Sequence, residues 1–75
     1  MEDWKIRMVQ EYRQLKERYE KLHRMIVKIE AGTIEFTPNC PLYLLQSQAR
    51  AMGEYLYCLE IRSEIEDIDL DSKEV

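Results

Sequence analysis

The 75-residue sequence predicts an all-α fold: an antiparallel, coiled-coil-like hairpin of two helices that assembles into a homo-oligomeric helical bundle. Three observations lead there. Two long stretches repeat apolar residues in alternating steps of three and four. Both prolines and one of the two glycines fall in the single short stretch between them. And a chain of this length buries too little surface to be comfortably stable alone, so it needs a staple, a metal or a second copy of itself.

The first stripe is Met8, Tyr12, Leu15, Tyr19, Leu22, Ile26 and Ile29, which predicts one helix over residues 4–31. Asp3 is the expected cap at its start, and Gly32 supplies the left-handed residue that commonly ends a helix. Val9 and Met25 widen the apolar face, as in a helix with more than one neighbour. The opposite face carries Arg13–Glu17, Glu17–Lys21, Lys16–Glu20 and Glu20–Arg24 at four-residue spacing, each pair contributing about 0.3 kcal/mol. Arg24 and Lys28 are the least neutralised of these cations.

Residues 32–40 break both periods and form the connecting loop, with Ile34 and Phe36 expected to fold back onto the end of the helix pair. Asn39 is the expected cap of the second helix, with Pro41 in its first turn. That helix, 41–66, carries Leu42, Leu45, Ala49, Met52, Leu56 and Leu59 on its seam. An antiparallel register sets Ile26 near Leu45, Leu22 near Ala49, Tyr19 near Met52, Leu15 near Leu56 and Tyr12 near Leu59. Gly53 beside the seam costs about 1 kcal/mol of helix propensity and points to a close approach. Glu11 and Arg62 are expected to pair across the open end.

Beyond Leu59 the seam turns polar at Ser63 and Glu66. Tyr57, Ile61, Ile65 and Ile68 then form a second apolar row that the hairpin alone leaves uncovered, and this is the expected oligomer interface. Residues 1–68 are thus read as the hairpin and 69–75 as an acidic, frayed tail.

Charge is divided along the chain. Residues 1–31 hold eight Lys/Arg against six Asp/Glu, and residues 32–75 hold three against nine. An acidic chain without a basic block is a poor general nucleic-acid binder, because that affinity comes from neutralising phosphates. No sequence-specific nucleic acid is expected as a partner, and no membrane, since no apolar run approaches the roughly 18 residues a span requires. The start of the chain does not read as a signal peptide, so a cytoplasmic location is expected. Cys40 and Cys58 lack metal-ligand spacing and read as small apolar fillers; neither a metal nor a cofactor is expected. His23 lies on the exposed side of the first helix without a nucleophile or acid beside it. No catalytic constellation is present, and the chain does not read as an enzyme.

The candidate ligand site lies at the loop end. Arg24, Lys28 and Arg50 supply cations, Thr37 and Asn39 supply polar contacts, and Tyr43 can stack on a base. Free N–H groups at the start of the second helix add anion-binding donors. Ordinary helix capping accounts for the same residues equally simply.

The two helices resemble a family of short proteins encoded by bacteriophages and prophages and related to a gene of a crAss-like phage. Arg7, Glu11, Leu15, Arg18, Lys21, Leu22, Met25 and Ile26 carry the resemblance in the first helix. Gln48, Met52, Tyr55, Leu59 and Arg62 carry it in the second. The longer Gly32–Pro41 connection and the acidic extension depart from the family pattern. The resemblance implies a phage accessory protein acting in the cytoplasm of the host bacterium. By analogy with other small oligomeric phage proteins, its expected role is counter-defence, sequestering a cyclic nucleotide signal without catalysis. The alternative is a module that inhibits a host protein through the hairpin and its acidic C-terminal region.

Overall fold

A computed structural model describes residues 2–73. Two helices, α1 (Asp3–Ala31) and α2 (Leu42–Ile65), pack along each other, and no strand is present among the described residues. The molecule is an elongated hairpin measuring 44 × 20 × 18 Å. Among the described residues no helix is long and apolar enough to cross a membrane.

Helix α1 begins one residue earlier than the sequence suggests. Glu2, not Asp3, is the capping position: its carbonyl accepts the N–H groups of Lys5 and Ile6, and its carboxylate accepts the Trp4 indole N–H at 2.6 Å. Asp3 moves into the first turn, where its negative charge still suits the positive end of the helix dipole. At the other end Gly32 adopts φ 76°, and the Thr33 N–H reaches back to the Lys28 carbonyl at 2.9 Å. The chain reverses there because glycine takes the left-handed conformation without a Cβ clash.

The start of α2 also differs from expectation. Asn39 is not its cap. Pro41 is, at φ −66° and ψ 147°, and its carbonyl accepts the N–H groups of Leu44 and Leu45. A proline's fixed φ is compatible with extended backbone as well as helix, and each proline disfavours helix at the residue before it. The run Thr37-Pro38-Asn39-Cys40-Pro41 therefore stays non-helical until Leu42.

The core lies at the open end of the hairpin. Met8, Val9 and Tyr12 of α1 meet Leu56 and Leu59 of α2, with Leu15 and Tyr19 packed against them. Val9 and Leu59 are sealed from solvent. Ile26 and Leu45 are the buried residues nearer the loop. Hydrogen bonds between side chains flank the seam and fix the antiparallel register: Tyr12 to Glu60 at 2.6 Å, Gln46 to Glu30 at 2.6 Å, and Tyr55 to Glu11. Glu11, expected opposite Arg62, thus receives the Tyr55 hydroxyl.

Ile68 departs most from the expected arrangement. It is not part of an exposed row with Tyr57, Ile61 and Ile65; it is 9% exposed and belongs to the core. Helix α2 stops at Ile65, Asp67 takes φ 54°, and the Ile68 N–H bonds the Ser63 carbonyl at 2.8 Å. This is the same six-to-one reversal that ends α1, here with an aspartate in the left-handed position. The reversal swings Ile68 off the outer face of α2 and onto Met8, Val9 and Tyr12. Leu70 follows it, so the segment expected to fray is anchored at least this far. The small Ser63 on the seam is buried here, its hydroxyl satisfied by the Glu60 carbonyl at 2.7 Å.

Candidate functional site

The expected site residues do not converge on one pocket. Arg24 and Lys28 line a groove of about 450 Å³ on the flank of α1, together with Glu17, Glu20, Lys21 and Met25. Its apolar wall comes from the loop, which folds back so that Ile34 and Phe36 face this flank. The groove exists because the reversal at Gly32 turns the chain along α1 and the two prolines keep it extended. Phe36 stays 59% exposed, which leaves its ring accessible to a ligand.

Three cations and two carboxylates line this groove, and Glu17 is held by Lys21 at 3.0 Å. Arg24 and Lys28 are left as the cations over the apolar wall. The arrangement joins positive charge to an exposed aromatic ring, the combination an anionic ligand with a flat ring requires. The volume falls within the range of small-molecule sites, roughly 300–1,000 Å³.

Arg50 lies elsewhere. It lines a second groove, of about 480 Å³, with Tyr19, His23, Ile26, Gln46, Ala49, Gly53, Glu54 and Tyr57. Thr37, Asn39 and Tyr43 line neither groove; all three are exposed, Tyr43 at 71%. Arg24 and Arg50 thus line separate grooves and do not meet at one site.

The second groove was not anticipated from the sequence, although Gly53 was its signal. The Tyr19 ring sits over Gly53, so near that a Cβ there would meet Tyr19 Cε1 at 3.4 Å. Tyr19 in turn stacks on His23, with ring centroids 6.0 Å apart and planes 13° from parallel. The close approach at Gly53 is therefore made by a side chain of the same hairpin.

Tyr12 has the most perturbed environment. Its hydroxyl donates to Glu60, and that bond, followed by burial and by the negative charges of Glu60, Asp71 and Glu20, raises its pKa from 10.0 to about 12. Lys16 lies over the same ring, 5.9 Å from its centroid. Tyr12 is a buried structural donor and lines neither groove.

Among the described residues no three His, Cys, Asp or Glu side chains gather as a metal site. Cys40 is half-buried and Cys58 exposed, both unpaired.

The family model described as Sequestin matches residues 2–65, which takes in both helices and the loop between them. No curated protein and no solved structure matches the chain.

Proposed function

The chain belongs to the Sequestin family, and on that premise we propose that it is a non-catalytic binding protein that sequesters an anionic nucleotide signal. A sequestering role accords with the family description. The observation that carries the nucleotide reading is the α1 groove, in which Arg24 and Lys28 stand beside Met25, Ile34 and the exposed ring of Phe36. The cations suit phosphate oxygens and the ring suits a base. The resemblance of its helices to phage proteins adds the setting: a bacteriophage protein that blunts host signalling in the cytoplasm of the infected bacterium. We also propose that the hairpin self-associates.

Calorimetric titration with a panel of cyclic di- and trinucleotides tests this. Binding to one member is expected, with the ligand recovered chemically intact after the protein is denatured. Lys28→Ala and Arg24→Ala should each weaken binding about tenfold, as expected for losing one charge-assisted contact. Absence of heat with every member of the panel would sink the nucleotide reading, and recovery of a cleaved ligand would overturn the non-catalytic one.

A further inference from the structure

Helix α2 carries apolar side chains on the face turned away from α1 as well as on the face packed against it. Its inner face is spent on α1, yet the outer face still presents Tyr43, Tyr57, Ile61 and Ile65, at 71%, 63%, 42% and 75% exposure. Helix α1, in contrast, is amphipathic and covers its outer face with charge. Large apolar side chains gathered on an exposed helix face, interleaved with polar ones, mark an interaction surface.

The total surface is consistent with a missing neighbour. A compact monomer of 9.1 kDa is expected to expose about 4,900 Å², whereas this chain exposes 5894 Å². The excess, about 1,000 Å², is close to the roughly 800 Å² each partner contributes to a standard interface.

Charge identifies the neighbour. From Leu42 to Leu59 the only charged residues are Arg50 and Glu54. They lie one turn apart on the outer face, both exposed, and among the described residues neither makes a hydrogen bond or ion pair. One cation and one anion at this spacing form a self-complementary pattern. Two copies of α2 crossing antiparallel, with the two-fold axis at the level of Met52, set each Arg50 opposite the partner's Glu54. A parallel pair would put like charges together. The same register sets Tyr43 beside the partner's Ile61, and exposed Ser47 leaves room for the partner's Tyr57. Exposed Ala51, near the axis, permits close contact. At about 1.5 Å per residue the 24-residue helix offers a contact about 36 Å long.

We propose that the outer face of α2 is the dimer interface, and that a second copy of this chain docks on it antiparallel through reciprocal Arg50–Glu54 pairs. This rests on the self-association proposed above. It relocates the interface from the Tyr57–Ile68 row to a face centred on Arg50 and Glu54, and it leaves the Arg24/Lys28 groove on α1 open.

Sedimentation of the full chain tests it without any ligand, so its outcome is separate from that of the nucleotide titration. A particle of about twice 9.1 kDa is expected. Arg50→Glu and Glu54→Arg should each self-associate at least tenfold more weakly, with helical content by circular dichroism unchanged. Mixed in equal amounts, the two variants should recover a dimer, because each now supplies the charge the other lacks. A wild-type monomer at hundreds of micromolar would overturn the proposal. So would single variants that dimerise like wild type, or a mixture that fails to recover the dimer.

Discussion

At the scale of single residues, Tyr12 and Gly53 show how much depends on a neighbour across the seam. The Tyr12 phenol is neutral in both the folded and unfolded chain below pH 10. Between pH 10 and about 12 the unfolded chain gives up this proton while the folded chain, donating it to Glu60, does not. The folded state then binds more protons, so its stability falls across that window. Denaturant titrations at pH 7, 10 and 11.5 should show this loss, and Tyr12→Phe should reduce it. At pH 7 that variant should cost about 1 kcal/mol, the net contribution of one hydrogen bond. Gly53→Ala should act in the opposite sense. The added methyl meets Tyr19 at 3.4 Å, an ordinary contact, so the helix-propensity gain of about 0.5–1 kcal/mol survives. A lower denaturation midpoint for Gly53→Ala would show that Tyr19 cannot give way.

At the scale of elements, the end of α2 is where the hairpin gains its last core residue. Asp67 occupies a left-handed position that costs an L-residue roughly 1–2 kcal/mol. Replacing it with glycine removes the Cβ clash and should raise stability by about 0.5–1 kcal/mol, less than the full cost because glycine loses more backbone entropy. Asp67→Val should lower stability and loosen the whole turn. Ile68→Ala removes a buried core side chain and should cost about 2–4 kcal/mol. An exposed tail residue would cost almost nothing, so thermal unfolding of Ile68→Ala distinguishes an anchored segment from a frayed one.

At the scale of the whole molecule, its core and its cationic groove lie towards opposite ends. Met8, Val9, Tyr12, Leu56, Leu59 and Ile68 close the end away from the loop, whereas Arg24, Lys28, Ile34 and Phe36 stand near it. Variants of the groove should therefore change ligand affinity with little change in melting temperature. The proposed dimer adds a second dependence. If assembly supplies part of the stability, the melting temperature of the wild-type chain should rise by several degrees across a hundredfold increase in concentration, and that of Arg50→Glu should stay nearly flat. A concentration-independent melt for the wild type would count against assembly as a source of stability.

The sequence by itself determined the two helices, their antiparallel pairing and the reversal at Gly32. These follow from apolar spacing along each helix and from residues whose backbone preferences are local, which adjacent positions suffice to reveal. Local preference was less decisive at Asn39 and Pro41, where two conformations satisfy the same fixed φ, and the boundary of α2 moved accordingly. Only the tertiary structure decided where Ile68 goes and how the cations divide. Extrapolating a helical period placed Ile68 on the outer face, but one left-handed residue at Asp67 ended that period and carried the side chain into the core. Arg24 and Arg50 share a charge, yet line separate grooves because each helix's rotation is set by its seam. Charge can be read along a chain; which charges meet is fixed by the rotation of packed helices about their axes.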